Sequence, residues 1–168
     1  GNFGEPIVAW LDRGAPDDVA VLELSSFQLE TAERFAADVA VVLNVTADHM
    51  DRYASLADYA AAKRRLIEGV AARGTVVLSW DDPQVREMAT HAKARVLWFS
   101  TKEAVVGDGL WLRGDTVVGV GACADLTGLD VGHKRLYGLH NRENALAAFL
   151  SLFALGLNDP KPLLQGYR

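Results

Sequence analysis

Two kinds of apolar pattern alternate along this chain: short runs rich in β-branched residues, and longer segments in which apolar residues recur every three or four positions. The first kind is typical of buried strands and the second of amphipathic helices. Strands are predicted on this basis at residues 19–24, 39–45, 75–78 and 95–99. Because strands that alternate with helices form βαβ units, the pattern predicts an α/β fold with a mostly parallel sheet flanked by helices.

The helical segments are predicted at residues 6–11, 55–72, 82–91 and 141–155. Two of them begin at residues that can cap a helix. Ser55 can cap the second helix, with Asp58 three residues further on. Asp82 can cap the third, with Pro83 at its first position.

Between residues 110 and 120 the alternation of strand-like and helical patterns stops. Two short apolar runs flank the pair Gly114-Asp115, which is typical of a β-hairpin turn. The parallel sheet is therefore expected to carry an antiparallel hairpin at one edge.

A cluster of polar side chains follows the predicted strand at residues 39–45. Its members are Asn44, Thr46, Asp48, His49 and Asp51. In open α/β folds, ligands bind just outside the carboxyl ends of strands, so this loop is a candidate for chemistry. An ordinary polar loop after a strand would look the same.

The composition limits the classes of function. The chain has 168 residues, of which 50% are hydrophobic and 23% are charged, as in a soluble domain of ordinary size. A net charge of −5 without a dense basic cluster argues against nucleic acid as a partner. No apolar run approaches the ~20 residues of a membrane span. A single cysteine, Cys123, excludes an internal disulfide, and no signal-peptide pattern is visible, so a cytoplasmic location is expected.

Lys63 lies near the centre of the apolar face of the helix predicted at residues 55–72. A lysine in such a position must reach out to solvent, pair with a carboxylate, lose its proton or be modified. Alternatively, Lys63 has no functional role: its aliphatic stem packs against apolar neighbours and its amine reaches water.

Two further residues have properties that suggest a metal or a cation. Glu23 lies inside the strand predicted at residues 19–24, and a buried carboxylate needs a cation, a metal or hydrogen bonds. A glutamate on an edge strand that faces solvent is the alternative. His49 has acidic neighbours that could orient it as a metal ligand, although it could equally be a loop histidine without a task.

Asn141 and Asn144 begin the helix predicted at residues 141–155, and side chains three apart on a helix can face one ligand. Asn141 could instead merely cap the helix. The pattern G-x-x-x-x-G-K-[ST] does not occur, so the chain supplies no phosphate-cradling loop of its own.

In order and spacing, five stretches of the chain resemble the Mur ligase family. They are GNFG at residues 1–4, LELSSFQLE at 22–30, LNVTADHMDRY at 43–53, AAK at 61–63 and GLHNREN at 138–144. The D-H-x-D and H-N-x-x-N elements are similar to ones shared across the family. The ELSSFQLE stretch indicates the member that adds D-glutamate.

The resemblance implies that residues 1–168 are a central domain with a P-loop-ATPase-like fold, truncated at both ends. The phosphate loop, a UDP-binding N-terminal domain and a C-terminal domain would lie outside it. The implied activity is an ATP-dependent ligase of peptidoglycan precursor synthesis. It would phosphorylate the carboxylate of UDP-N-acetylmuramoyl-L-alanine and join D-glutamate to the acyl phosphate. The full-length protein is expected to be a monomer, and the isolated chain is expected to be inactive.

The resemblance also implies roles for individual residues. Glu23, His49 and Lys63 would be catalytic and would hold two Mg²⁺ ions, with Lys63 carbamylated by CO₂. Other positions match residues that contact the substrates. Those near the UDP-sugar substrate are Asn2, Ser25, Gln28 and His49, and those near the adenine of ATP are Asn141 and Asn144.

One stretch departs from the family pattern, since Ser79-Trp80-Asp81-Asp82 stands where relatives often have Asn-Ala-Asp-Asp. Three other functions fit parts of the sequence. The chain could belong to a sister ligase, such as a folylpolyglutamate ligase, or to a non-catalytic nucleotide-binding module. It could also be a metal-dependent hydrolase that uses Glu23, His49 and Asp51.

Overall fold

A computed structural model describes residues 19–47, 51–132, 138–157 and 159. The centre of this part is a five-stranded sheet whose strands lie in the order of the sequence. The strands are β1 (Ala37–Val42), β2 (Val70–Ser79), β3 (Arg95–Ser100), β4 (Gly109–Arg113) and β5 (Thr116–Val120). The helices are α1 (Ser26–Thr31), α2 (Leu56–Glu68), α3 (Pro83–Met88) and α4 (Leu139–Ala154), and short 3₁₀ helices span Ala89–His91 and Gly121–Leu126.

The pairing of the strands confirms the predicted fold class. The strands β1 to β4 run parallel to one another, and β5 pairs antiparallel with β4. The turn between β4 and β5 contains Gly114 with a φ of 63°, a backbone conformation that glycine adopts without strain. The expected antiparallel hairpin therefore forms one edge of the sheet.

The sheet buries apolar side chains on both faces. Along β2, Val77 points to one face, while Val76 and Leu78 point to the other, as the alternation of a strand requires. The first face packs against α4 through residues such as Phe149. The second face packs against α2 and α3, where Ile67 is fully buried. The result is a three-layer arrangement with helices on both sides.

The predicted caps are present. The side chain of Ser55 accepts a hydrogen bond from the Asp58 amide at the start of α2. The side chain of Asp82 accepts from the amides of Gln84 and Val85 at the start of α3. Both contacts satisfy amides that have no partner within the helix.

The strand predicted at residues 19–24 is wrong. Residues 19–25 form no strand, and Val21 is 90% exposed. A strand that is apolar on both sides needs a hydrogen-bonded neighbour and cover on both faces. Within the described residues β1 is paired with β2 alone, so the 19–24 segment has no ladder to join.

Two predicted helices are shorter than expected. The helix predicted at residues 55–72 ends at Glu68 with Gly69 as its C-cap, because Val70 pairs with Ala37 and is buried as the first residue of β2. The one predicted at 82–91 is α-helical only to Met88 and continues as a 3₁₀ turn. The helix predicted at 6–11 lies outside the described residues.

Helix α1 was not anticipated from the apolar pattern. It is only six residues long and begins with a reciprocal pair of hydrogen bonds between Ser25 and Gln28. The spacing Ser-x-x-Gln is the sequence signal that could have revealed it. No helix in the described ranges is both long enough and apolar enough to span a membrane.

Gly109 offers a test of the sheet. It pairs with Trp98 across the β3–β4 ladder, and a Cβ at this position would collide with the Trp98 backbone. We expect Gly109→Ala to lower the free energy of unfolding by about 3 kcal/mol, since backbone atoms on both strands would have to move. Denaturant titration measures this loss.

Gly114→Ala is the matched control. No atom lies within 4 Å of the added Cβ, so only the left-handed backbone conformation is penalised, at about 1 kcal/mol. Equal losses in the two variants would contradict the close approach of β3 and β4 at Gly109.

Candidate functional site

The loop after β1 is held by two side chains from other elements. The Asn44 carbonyl accepts a hydrogen bond from Lys63 Nζ of α2 at 3.1 Å. One residue later, the Val45 amide donates to Asp82 Oδ2 at 2.7 Å. The polar loop that the sequence singled out is therefore fixed from α2 and from the carboxyl end of β2.

Lys63 is half-buried, with its amine 4.7 Å from the centre of the Tyr59 ring. The two residues are four apart on α2, a spacing that places side chains on one face of a helix. A cation over an aromatic face is attracted by the ring quadrupole. Among the described residues, a backbone carbonyl and an aromatic ring thus hold the lysine amine.

A row of three aromatic rings, Phe27, Tyr53 and Tyr59, connects α1 with this lysine. Phe27 and Tyr53 stack with their centres 6.2 Å apart, and Tyr53 lies 5.2 Å from Tyr59. Burial raises the pKa of the Tyr53 hydroxyl. Ser26 and Glu30 influence that pKa, yet the hydroxyl has no partner in hydrogen-bond geometry among the described residues.

An ion pair covers the outer end of this row. The Arg52 guanidinium lies 2.8 Å from a Glu30 carboxylate oxygen and 4.4 Å from the centre of the Phe27 ring. The hydrogen bond from Arg52 lowers the pKa of Glu30. Because both side chains are exposed to water, this pair orients the surface more than it stabilises the fold.

Ser25 and Gln28, predicted to line the UDP-sugar substrate, form the cap of α1. The backbone amide of Gln28 donates to Ser25 Oγ at 3.3 Å, and the side-chain oxygen Oε1 of Gln28 accepts from the backbone amide of Ser25 at 2.9 Å. These bonds give both residues a structural task. Their contact with a substrate stays a prediction, and Asn2 lies outside the described residues.

A second polar group lies where β2 and β3 end. Asp81 Oδ1 accepts from Ser100 Oγ at 2.6 Å, and Asp81 Oδ2 accepts from the Thr101 amide at 2.8 Å. Glu143 of α4 is close by: burial raises the pKa of its carboxyl, and the charge of Asp81 raises it further. Two carboxylates therefore act on each other here, while Lys102 and His140 act on the pKa of Glu143 in the opposite direction.

The asparagines predicted to bind the nucleotide lie on the first two turns of α4. The helix begins at Leu139 with Gly138 as its N-cap, so the alternative in which Asn141 caps it is wrong. Asn141 is half-buried and Asn144 is exposed. Between them, Arg142 forms an ion pair with Asp115 at 2.7 Å, which ties α4 to the β4–β5 turn. Contact of the asparagines with adenine stays a prediction.

Trp80, at the position where the sequence departs from the family pattern, is packed against other side chains. It meets Trp98 edge-on, with ring centres 5.1 Å apart, and the Arg86 guanidinium lies 5.4 Å from its ring. Its indole N–H donates to Glu103 at 3.1 Å. The tryptophan thus belongs to the layer of side chains between β2, β3 and α3.

The three residues predicted to hold metal are not brought together by the described part of the chain. Glu23 is exposed and belongs to no strand, so the premise of a carboxylate buried in a strand is wrong. His49 lies outside the described residues. In the ranges that the structure covers, no group of three or more His, Cys, Asp or Glu could hold a metal ion.

Whether Mg²⁺ can bind beside Lys63 depends on the atoms that are available there as metal ligands. Mg²⁺ prefers oxygen ligands, and an ammonium cannot be one. Lys63, which lies 3.1 Å from the Asn44 carbonyl, fits a magnesium site only as a carbamate, whose oxygens resemble those of a carboxylate. Carbamylation and the convergence of Glu23, His49 and Lys63 stay predictions.

Sequence reasoning missed the residues that position this loop. Tyr59 and Asp82 contact Lys63 and Val45, respectively, but neither was assigned a role at the site. The i, i+4 spacing of Tyr59 and Lys63 was a usable signal. The contact of Asp82 with Val45 spans 37 residues and left no local signal.

The family model for the Mur ligase middle domain matches residues 12–152. The chain belongs to the Mur ligase family. A UDP-N-acetylmuramoylalanine--D-glutamate ligase of Chromobacterium violaceum is 43% identical over 177 aligned positions, which cover 100% of this chain and 36% of that protein. A ligase of the same name from Pelotomaculum thermopropionicum is 39% identical over 168 positions, covering 95% of this chain and 35% of that protein.

The chain thus spans about a third of the length of these relatives. A solved UDP-N-acetylmuramoyl-L-alanyl-D-glutamate--2,6-diaminopimelate ligase superimposes with a TM-score of 0.63 at 23% identity, over 79% of this chain and 28% of that one. At this identity the likeness concerns the fold. The predicted membership of the Mur ligase family and the predicted fold class are both confirmed.

The pair of carboxylates Asp81 and Glu143 in the Mur ligase chain gives a prediction about pH. The pKa of Glu143 is raised above its usual 4.5, so the folded chain holds this proton more tightly than the unfolded chain. Its contribution to stability is present below the unfolded pKa and is lost as the pH rises through the folded pKa. We expect Asp81→Asn to lower the pKa of Glu143, because one neighbouring charge is removed.

Carboxyl-carbon NMR titration measures this change, with Asp125→Asn as the control for an exposed carboxylate elsewhere. The pKa of Glu143 should remain raised in Asp81→Asn, though less than in the wild type, since burial, the larger cause, remains. An unchanged midpoint would show that Asp81 does not act on Glu143.

Proposed function

We propose that this chain is the central domain of an ATP-dependent ligase that adds D-glutamate to UDP-N-acetylmuramoyl-L-alanine. One observation carries the proposal: an alignment over 100% of the chain, at 43% identity, with a relative named as that ligase. Residues 1–168 would form the middle of a longer polypeptide, between a UDP-binding N-terminal domain and a C-terminal domain. The enzyme would work in the cytoplasm, in peptidoglycan precursor synthesis, as a monomer.

The proposed chemistry proceeds in two steps. A carboxylate oxygen of the muramoyl-alanine substrate attacks the γ-phosphorus of ATP, and ADP leaves. The amine of D-glutamate then attacks the acyl carbon, loses a proton, and expels phosphate as the tetrahedral intermediate collapses to an amide. Positioning and neutralisation of phosphate charge are the main tasks of a protein in such a reaction.

The residues at the end of β1 support a role in the first step. Lys63 is held at the Asn44 carbonyl, and the chain continues from there to Asp48 and His49. As a carbamate, Lys63 would join Glu23 and His49 in holding two Mg²⁺ ions. Bound Mg²⁺ would neutralise the negative charge of the phosphate oxygens.

The remaining assignments concern the two ends of the site. Asn2, Ser25 and Gln28 would line the UDP-sugar substrate, and the capping box would keep Ser25 and Gln28 in fixed positions on α1. Asn141 and Asn144 would contact the adenine from the start of α4. Helix α4 is braced by its ion pair with the β4–β5 turn, which suits a contact that has to be rigid.

The amino-acid specificity of the full-length polypeptide tests the proposal. With UDP-N-acetylmuramoyl-L-alanine and ATP present, phosphate release should depend on D-glutamate. L-Glutamate, D-alanine and diaminopimelate should support turnover at least about a hundredfold less well, because a site built to hydrogen-bond one substrate rejects amino acids that leave its polar groups unpaired.

Variants in the same assay separate the site from the fold. His49→Ala and Lys63→Ala should each reduce kcat by roughly a hundredfold or more, the usual loss for a group that stabilises transferred charge. Arg64→Ala, next to Lys63 but paired with Glu68, should keep its activity. Efficient use of another amino acid would indicate a sister ligase. Absence of any amino-acid dependence would contradict the proposal.

A second prediction concerns the chain by itself. Residues 1–168 contain no G-x-x-x-x-G-K-[ST] loop, and such a loop holds the phosphates of ATP in P-loop enzymes. The isolated chain should therefore show no ligase activity and negligible ATP hydrolysis in a phosphate-release assay. The full-length polypeptide serves as the positive control, and robust hydrolysis by the isolated chain would refute this expectation.

A further inference from the structure

Strand β2 ends at Ser79, and the carboxylates of Asp81 and Asp82, which follow it, bind residues at the carboxyl ends of its two neighbours in the sheet. Asp81 accepts from Ser100 and Thr101 at the carboxyl end of β3. Asp82 accepts from the Val45 amide just after β1. Two adjacent residues thus reach both neighbours of β2.

Asp82 uses its two oxygens for different purposes. Oδ1 accepts from the Gln84 and Val85 amides, at 2.8 and 3.2 Å, and so caps α3. Oδ2 accepts from the Val45 amide at 2.7 Å, the shortest of these contacts. Capping requires only the first oxygen, so the second is available to fix the loop after β1.

The Val45 contact has a direct consequence for Lys63. Val45 follows Asn44, whose carbonyl accepts from Lys63 Nζ. The Asn44 carbonyl and the Val45 amide belong to the same peptide unit, which is planar and rigid. A carboxylate that fixes the amide of this unit therefore also fixes the carbonyl that holds the lysine.

We propose that Asp82 is a positioning residue of the ligase site, which places the Lys63 amine through the Asn44–Val45 peptide. Its importance for catalysis rests on the proposed function, whereas the coupling between Asp82 and Lys63 does not. Asp82 touches no reacting atom in this role. Because Asp82 follows β2 in the chain, the position of this strand determines where the Asn44–Val45 peptide, and with it the lysine amine, is held.

Asp82→Ser separates the two tasks of the carboxylate. Serine caps helices about as well as aspartate, so α3 should keep its cap. Its shorter side chain cannot also reach the Val45 amide, so the Asn44–Val45 peptide should loosen. Asp82→Asn is a second variant, which retains one acceptor oxygen and should fall between wild type and Asp82→Ser.

The first readout is the reactivity of the Lys63 amine in the full-length polypeptide. Trace acetylation in buffer freed of CO₂, followed by mass spectrometry, compares Lys63 with the exposed Lys93 and Lys102. In Asp82→Ser the relative reactivity of Lys63 should rise about threefold, a part of the tenfold or more that a lost hydrogen bond to a charged group gives.

Thr127→Val is the matched control. Thr127 Oγ1 accepts from the Gly119 amide at 2.8 Å, so this variant also deprives one backbone amide of a side-chain acceptor. It lies beside β5, at the edge of the sheet opposite β1. An equal rise in Lys63 reactivity in Thr127→Val would mean general loosening and would overturn the proposal.

The second readout is the kinetics of phosphate release. Asp82→Ser should lower kcat by roughly tenfold and leave the KM values for ATP and D-glutamate within about twofold, since misplacing a catalytic group costs rate before binding. Thr127→Val should match wild type. Unchanged Lys63 reactivity in Asp82→Ser, or a changed reactivity with unchanged kcat, would overturn the positioning role. If Asp82→Ser raises the reactivity of Lys63 but the wild-type polypeptide has no ligase activity, the proposed function is refuted. The coupling between Asp82 and Lys63 is then still supported.

Discussion

The structure depends on the burial of β2 inside the sheet. This strand has hydrogen-bonded neighbours on both sides and packed side chains on both faces, with Val76, Val77 and Leu78 fully buried. A strand in this position cannot shift its register by one residue without exchanging its two apolar faces. The residues that follow it are therefore delivered to a fixed place, where parallel strands end together and ligands bind in open α/β folds.

The polar groups at that edge make use of this rigidity. Asp81 and Asp82 lie just after the end of β2 and accept hydrogen bonds from the ends of β3 and β1. Lys63, which approaches from α2, meets the same loop at the Asn44 carbonyl. The site is thus built from segments that contact, directly or through the loop after β1, residues at the end of one buried strand. A backbone carbonyl positions its lysine, and backbone atoms vary less in position than side chains.

The sequence was sufficient to predict those features of strands and helices that depend on residues close together in the chain. The hairpin at Gly114 and the caps at Ser55 and Asp82 follow from turn and capping chemistry within a few residues. The segment at residues 19–24 has the apolar pattern of a strand, but a strand also needs a partner, and pairing is a long-range property that no local pattern records. For the site, the apolar face of its helix and the family resemblance both indicated Lys63. The contact of its amine with the Asn44 carbonyl and the contact of Asp82 with Val45 join residues 19 and 37 positions apart, and no local pattern records them.

The edge-on contact of Trp80 with Trp98 places two indoles directly beside the end of β2, within reach of the Arg86 charge. The emission of an indole responds to nearby charges and to the angle and distance of a neighbouring ring. Trp80 immediately precedes the two aspartates, so the chain carries a natural optical reporter beside its candidate site. A ligand that bound at this edge of the sheet and changed the surroundings of these rings would alter the emission of the unlabelled protein without any chemical turnover.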